Sequence, residues 1–425
     1  MTDAPKIPFA VPFVGKEEEE AVLRVLRSGW LTTACEALSF EKEFSEFLSC
    51  TADAQVLPLQ ALALNSATSG LHLALESCGV AAGDVVLMPS YTFAADAEAA
   101  RYLGAEVAFI DCAGGAEISP PAAVPTKPCF NMSIAGLERT LSRLASGQTA
   151  YEWGGPSGRP AAVIAVHFGG LVCDIERIVN IAHNYGVKVI EDSAHAFPAK
   201  TQDGRWAGTI GDVGVFSFYA TKTITTGEGG MLITRNADIA NRVSLMRLHG
   251  IDRPIWNRYN VQGLQSKSPP WYYEVTEPGY KYNLCDILAA IGRVQLKRAT
   301  ALLAERRKIA ARYDEAFAAY EGFVLPPTDL GDARHLYPLR IIQSASCCPS
   351  RNDIIDSLRE NGIGVSVHFI PLHTMPYYKK RYNLKDDHFP YAYENFCGEI
   401  SLPIFPGLSK EQIERIIVEL KRITC

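Results

Sequence analysis

Val187-Lys188-Val189-Ile190-Glu191-Asp192-Ser193-Ala194-His195-Ala196 decides the fold. Val187 to Ile190 reads as a buried strand, and two carboxylates and a histidine follow it at once. Immediately upstream, Ile175 to Tyr185 has helical spacing and stops at Gly186, a residue suited to a left-handed helix end. Before that helix, Ala162 to Val166 is another short apolar run. Moving outward, Val107 to Asp111 and Val85 to Met88, the latter ending at Pro89-Ser90, read as further strands. Leu59 to Leu64 reads as a strand too, with Thr68 to Cys78 as a helix closed by Gly79. This β-α-β-α succession predicts an α/β fold with a mainly parallel sheet covered by helices on both faces. Ligands of such sheets bind at the carboxyl ends of the strands, so motifs that follow a strand carry the most weight.

Two stretches break the rhythm. Cys112 to Cys129 and Ser146 to Pro160 are rich in glycine and proline and read as surface loops. Arg253 to Pro278 is aromatic and polar without periodicity, as functional loops often are. A long amphipathic helix is expected from Asp286 to Tyr320. Leu336 to Gln343, Arg351 to Asn361 and Ser409 to Ile423 then read as a smaller mixed domain. The expected division is a large domain with an N-terminal arm over 1–262 and a small C-terminal domain, including the long connecting helix, over 263–425. A chain of 425 residues is long enough for two or three domains.

With 48% hydrophobic and 21% charged residues, the composition is that of an ordinary globular protein. The net charge of −6 and the lack of a basic block argue against a general nucleic-acid binder. Apolar runs such as Ala161 to Val166 fall far short of the roughly 20 residues that span a bilayer, so no membrane association is expected. The N-terminal Met1 to Phe9 lacks the pattern of a secretion signal, which predicts a cytoplasmic protein. The 11 cysteines are scattered without a C-x-x-C pair and are expected to be reduced thiols. His368 and His373 lie far from any cysteine or carboxylate pattern, so no metal site is expected and they read as substrate-lining or packing residues.

Three fragments carry candidate chemistry. Asn65-Ser66-Ala67-Thr68-Ser69-Gly70 lies between a strand and a helix, where backbone N–H groups and hydroxyls can bind a phosphate. Taken alone, it is equally an ordinary helix cap. Asp192, beyond its strand, can pair with a protonated ring nitrogen or cap a helix. Val215 to Lys222, running into Gly227-Glu228-Gly229-Gly230, places a lysine just past a buried strand, with Ser217 before it and glycines that let backbone approach a ligand. A desolvated lysine there can condense with an aldehyde; in isolation it is also a plain solvated loop residue.

The ordered set resembles the fold-type I pyridoxal-5′-phosphate (PLP) enzymes, specifically the DegT/StrS family of sugar aminotransferases. The matching stretches include Ser28 to Thr33, Pro89 to Phe93, Glu191 to Ala196, Phe216 to Phe218, Thr225 to Gly230 and Gly279 to Asn283. Gly362-Ile363-Gly364, His368-Phe369, His373-Thr374 and Tyr377-Tyr378 look closest to the branch that aminates UDP-4-keto-pentoses for lipid A. The resemblance implies that 1–262 binds PLP and that Lys222 bonds to the cofactor and relays the proton. It implies that Asp192 pairs with the pyridine nitrogen, Phe93 stacks on the ring and His195 sits beside it. Thr68, Ser69 and Ser217 would hold the phosphate, and Asn283 would reach the phosphate in a partner subunit of a homodimer with shared sites. The implied substrates are L-glutamate and a nucleotide keto-sugar.

Two departures from the family pattern stand out. Ala34-Cys35 replaces the usual Gly-Pro after Thr33, and Ala67 replaces the usual glycine of the phosphate turn. The loops within 112–160 are longer than usual. Two other activities fit parts of the pattern: a PLP-dependent sugar dehydratase, in which the lysine is replaced by histidine, and a PLP-binding regulatory protein without turnover. Arg247, His249, Arg253, Trp256 and Tyr259 either line a nucleotide pocket or pack a loop.

Overall fold

The structure, a computed structural model, describes residues 5–49, 57–114, 129–252, 269, 271–327, 329–342 and 349–424. Seven strands form the main sheet: β1 (Gln60–Leu64), β2 (Asp84–Pro89), β3 (Glu106–Ile110), β4 (Arg159–Val166), β5 (Lys188–Asp192), β6 (Val213–Ser217) and β7 (Gly230–Thr234). Their order is β1-β7-β6-β5-β4-β2-β3. Strands β3, β2, β4, β5 and β6 pair in parallel, and β7 is antiparallel to both β6 and β1. The sheet is thus mainly parallel, as expected, with β7 alone reversed. That reversal matters for position. The chain leaves β6 at its carboxyl end, loops through residues 218–229 and re-enters as β7 from the same side, so Lys222 is held at the sheet edge where ligands bind.

The middle of the sheet is apolar because helices cover both faces. Leu87, Val163, Ile164, Val189, Ile190, Val215 and Leu232 are all fully buried. Helix α3 (Ala67–Ser77) follows β1 and lies directly on β6. A Cβ at Gly70 would come within 2.8 Å of Val215 Cγ1, so glycine is what allows this close approach. Helices α4 (Ala94–Tyr102), α5 (Ile134–Ala145), α6 (Ile175–Asn184) and α7 (Ala237–Met246) complete the layers.

Before the sheet come α1 (Lys16–Ser28) and α2 (Cys35–Leu48), which pack against the long helix α8 (Asp286–Phe317). The Ala34-Cys35 departure finds its explanation here. Ala34 occupies the N-cap of α2 and has no side chain to cap it. Asp286 supplies the cap from α8, accepting the N–H groups of Ala34, Glu36 and Ala37 at 2.7, 3.2 and 3.1 Å. Helix α8 ends three residues earlier than expected, in a turn that leads to β8 (Phe323–Val324).

Strands β8, β9 (Tyr337–Ile341) and β10 (Glu399–Leu402) form an antiparallel sheet in the order β10-β9-β8. Its helices include α9 (Arg351–Glu360), α10 (Pro376–Tyr382), α11 (Pro390–Gly398) and α12 (Lys410–Thr424). Tyr313, Tyr337, Leu339, Ile354, Ile400 and Ile416 make up much of this second core. Ile7 of the N-terminal arm joins the same core, donating to the Gly362 carbonyl at 2.8 Å while its own carbonyl accepts the Gly364 N–H at 2.7 Å. The expected 262/263 boundary lies outside the described residues, as do most of the 112–129 loop and of the 253–278 segment. Within the other loop, Tyr151 and Gly154 close a tight turn before β4 begins at Arg159. None of the seven described cysteines is in a disulfide.

Candidate active site

At the carboxyl ends of β5 and β6 lies a cavity of about 480 Å³. Thr68, Phe93, Asp192, His195, Ser217 and Lys222 all line it. Six of the eight residues singled out in the sequence therefore meet in one space, brought together from four different strand ends.

The first turn of α3 contributes Ser66, Ala67 and Thr68 to the wall. Ser66 is the N-cap, and its Oγ accepts the Ser69 N–H at 3.1 Å. Opposite this turn, Gly230 passes so close that a Cβ there would lie 2.6 Å from the Ser66 carbonyl and 2.7 Å from the Ala67 nitrogen. Of the two alternatives, the helix cap is made by Ser66, and Ala67 and Thr68 of the same turn border the cavity, where the N-terminal end of a helix suits an anion. Ser69 and Asn283 lie away from the cavity wall. Ser69 is buried and its hydroxyl donates to the Ser66 carbonyl at 2.7 Å. Asn283 bridges to Leu64 at the end of β1, donates to Thr33 Oγ1 at 2.5 Å and accepts from Lys281 Nζ.

Asp192 ends β5. Its Oδ1 accepts the Ala194 N–H at 2.9 Å. Burial pushes its carboxyl above the usual range, against the pull of the Ala194 N–H, the Lys222 charge and His167. Behind it, His167 Nε2 is 2.9 Å from Glu191 Oε2, and both side chains are fully buried. Glu191 also accepts the N–H groups of Gly208, Ile210 and Gly211 at 2.8, 2.7 and 2.6 Å. Burial alone would lower the His167 imidazole, but Cys173 and Glu191 outweigh it and raise it to about 10. The imidazolium on the far side of Asp192 favours its carboxylate form. Glu191 and Asp192 are neighbours in sequence with different tasks, one tying down the 208–211 loop and the other facing the cavity.

Lys222 is half-buried in the loop between β6 and β7, with its backbone N–H on the Tyr219 carbonyl at 2.9 Å. Desolvation lowers its amine to about 8; Asp192 opposes that shift and Arg306 assists it. Arg306 was not anticipated from the sequence. It reaches from α8 and donates to the carbonyls of His335, Ile404 and Thr221 at 3.2, 2.7 and 3.3 Å. The long helix thereby holds the lysine loop and a second part of the wall together.

His195 Nδ1 accepts the Gly169 N–H at 3.3 Å. Its ring lies 4.5 Å from His335 and 5.7 Å from Phe369 between centroids. Burial and the Lys222 charge keep both His195 and His335 neutral. His335, Phe369 and Phe9 are cavity residues that sequence reading did not place there, whereas His368, read as lining a substrate site or packing, does line the cavity. His335 heads β9, and a histidine just before a buried strand was the signal available for it. Phe9 had none, because it belongs to an arm whose position is set by the distant Ile363 strand segment. Phe93 is 59% exposed and its ring is 5.8 Å from Phe369. Arg247 is buried and paired with Glu41 and the Ala63 carbonyl, so it supports the β1 region and does not line the cavity. Arg253, Trp256 and Tyr259 lie outside the described residues.

Among the described residues, no helix is long and apolar enough to cross a membrane. The chain matches the model of the DegT/DnrJ/EryC1/StrS aminotransferase family over residues 12–124 and 156–421. The break falls on 125–155, within the stretch where the loops are longer than usual. It is 36% identical over 420 residues to the spore coat polysaccharide biosynthesis protein SpsC of Bacillus subtilis, covering 98% of this chain and 97% of that one. An uncharacterised protein of Methanocaldococcus jannaschii is 37% identical over 418 residues, covering 98% and 97%. Among solved structures, the Streptococcus pneumoniae protein Spr1654, described as a sugar aminotransferase in its PMP-form, superposes with a TM-score of 0.81 at 28% identity, covering 98% of each chain. Helicobacter pylori PseC, an aminotransferase involved in the biosynthesis of pseudaminic acid, gives 0.80 at 26% identity and 99% coverage of each. The chain belongs to the DegT/DnrJ/EryC1/StrS aminotransferase family and is a PLP-dependent sugar aminotransferase.

Proposed function

We propose that this cavity moves the amino group of L-glutamate onto the keto carbon of a nucleotide-linked 4-keto-sugar bound for a bacterial surface polysaccharide or lipopolysaccharide. The observation that carries the reading is the Lys222 amine, lowered to about 8 and sharing one cavity with the buried Asp192 and the open first turn of α3. The residues present fit PLP. Gly230 leaves room beside the Ser66–Ala67 backbone that a Cβ would fill, as a phosphate cradle needs. Thr68, Ser217 and the α3 N–H groups supply donors for the phosphate. Asp192 offers a carboxylate for a ring nitrogen, and Phe93 a flat apolar face. When bound, PLP would supply the electron sink for the carbon that loses its proton.

The chain's own residues then divide the work. Asp192 holds a proton on the ring nitrogen, with His167 behind it keeping its carboxylate charged. Lys222 Nζ would take the proton from the α-carbon of glutamate, which leaves as 2-oxoglutarate, and on the sugar it would deliver a proton to the carbon that receives the nitrogen. An amine of pKa about 8 is neutral in roughly one molecule in ten near pH 7, against well under one in a thousand at the ordinary lysine value. His195 borders the ring, and Phe369 and Phe9 exclude water.

Ser69 acts through the cap, supporting the phosphate turn. Asn283, placed beside β1 and off its own cavity wall, serves the phosphate of a second subunit in a homodimer that also covers the exposed Phe93. We place the enzyme in the cytoplasm, where nucleotide sugars are made. Adding glutamate to the purified enzyme should bleach its visible cofactor absorbance, and a nucleotide 4-keto-sugar should restore it. A panel of UDP-, GDP- and dTDP-linked keto-sugars, with a UDP-4-keto-pentose as one arm, identifies the acceptor. Near-normal turnover by Lys222→Ala would rule the reading out.

A further inference from the structure

His368 lines the cavity with its ring stacked on Phe9, 5.3 Å away at 27°. Its Nδ1 is 2.9 Å from Ser401 Oγ. Ser401 Oγ is in turn hydrogen-bonded to Glu399 Oε1, and Glu399 Oε2 accepts the backbone N–H of His368 at 2.9 Å. Ser401 and Glu399 are both fully buried on β10. His368 Nε2 makes no hydrogen bond to the described residues. Burial and the Lys222 charge lower the imidazole to about 4, so the ring is neutral at neutral pH and only its tautomer remains to be decided.

The hydroxyl of Ser401 has a single hydrogen, and that fixes the logic. If Glu399 is ionised, Ser401 donates to it, His368 donates from Nδ1, and Nε2 shows a lone pair to the cavity. If Glu399 is protonated, it donates to Ser401, Ser401 donates to Nδ1, and Nε2 shows a hydrogen. One proton on a buried carboxyl thus inverts the polarity of an atom facing the substrate. We propose that Glu399 and Ser401 are positioning residues that set the tautomer of His368, so that at neutral pH its Nε2 donates a hydrogen bond to an acceptor oxygen of the sugar substrate.

The groups around Glu399 support the neutral acid. Burial pushes its carboxyl up to about 8, against the Ser401 hydroxyl, the His368 N–H and the Arg351 charge. The Arg351 guanidinium donates to the Glu399 backbone carbonyl at 3.1 Å, Tyr91 is a buried neutral phenol, and Arg340, opposite Glu399 on β9, is paired with Glu394 at 2.8 Å. The substrate assignment rests on the function proposed above; the relay itself does not.

Glu399→Gln is the decisive variant, because its amide can accept from the His368 N–H and donate to Ser401 at every pH. In the wild type, KM for the keto-sugar is expected to rise about three- to tenfold as pH passes through about 8, the scale of one neutral hydrogen bond. Glu399→Gln should keep the low KM without that rise. Lys222 titrates in the same range, but it does so in both proteins and cancels in the comparison. Ser401→Ala should abolish the step, because the proton on Glu399 no longer reaches His368 Nδ1. A step equal to the wild-type step in either Glu399→Gln or Ser401→Ala overturns the proposal. Independently of any substrate, long-range ¹⁵N spectra of ¹⁵N-histidine-labelled enzyme, with His368 assigned by its loss in His368→Gln, should show the protonated nitrogen exchanging from Nε2 to Nδ1 as pH rises. Absence of that exchange overturns the relay, whereas a lack of turnover with every keto-sugar overturns the function and leaves the relay to the spectra.

Discussion

Replacing Lys222 by methionine should abolish activity and, at the same time, stabilise the cofactor-free protein. The folded amine has a pKa of about 8 against 10.5 for the free side chain. At about 1.4 kcal/mol per pKa unit, that difference bounds the cost of burying the charged lysine at about 3 kcal/mol. The side chain is only half-buried, so screening reduces the figure to about 2 kcal/mol. The sign follows from proton counts. Below about pH 8 both folded and unfolded chains carry the proton and the full cost applies. Between there and 10.5 the unfolded chain keeps a proton that the folded one has lost, so wild-type stability gains with pH in that window. For a chain this long, about 2 kcal/mol corresponds to about 2 °C in melting temperature. Thermal melts of apo wild type and Lys222→Met near pH 7 and about pH 9.5 should show the variant ahead at neutral pH and the gap closing at the higher one. Repeating the comparison in Asp192→Asn should widen the neutral-pH gap, since Asp192 offsets part of the lysine's cost. Equal melting temperatures at both pH values, or a less stable Lys222→Met near pH 7, would refute the claim that this amine is held charged at a cost.

Other substitutions separate the roles of neighbouring residues. Gly230→Ala places a methyl on the Ser66 carbonyl, 2.6 Å away, and should weaken PLP binding to the apo protein at least tenfold by fluorescence titration, with the fold retained by circular dichroism. Thr68→Val should weaken PLP binding by about 1.5–3 kcal/mol, the scale of a hydrogen bond to a charged group, whereas Ser69→Ala keeps the N–H that Ser66 caps, should cost about 1 kcal/mol of stability through the lost bond to the Ser66 carbonyl, and should leave PLP affinity within about threefold. Glu191→Ala strands the buried Gly208 N–H, the half-buried N–H groups of Ile210 and Gly211 and the buried His167 imidazolium, so a loss of about 3–5 kcal/mol is expected, read as a drop in melting temperature.

The sequence alone determined the β-α-β succession, because the signal is local. Apolar runs of four to six residues, helical spacing and glycines such as Gly186 are written within a short window of chain. It likewise marked Thr68, Asp192, Ser217 and Lys222 at or just beyond strand ends, where the general rule for parallel sheets puts ligands, while Phe93 and His195 were marked by the family resemblance. What the sequence could not supply was any contact made across the chain. The reversal of β7 puts the 218–229 loop on the ligand side of the sheet, and pairing direction depends on distant partners. Arg306 lies more than 80 residues from the Thr221 carbonyl it holds. Asp286 caps a helix some 250 residues earlier in the chain. The arm bringing Phe9 to His368 is fixed by hydrogen bonds to Gly362 and Gly364. Lys222 shows the division most clearly. Its identity and its place after β6 are readable in the chain, but the low pKa that makes it a usable amine comes from desolvation and from Arg306, and burial exists only once the whole molecule has closed around it.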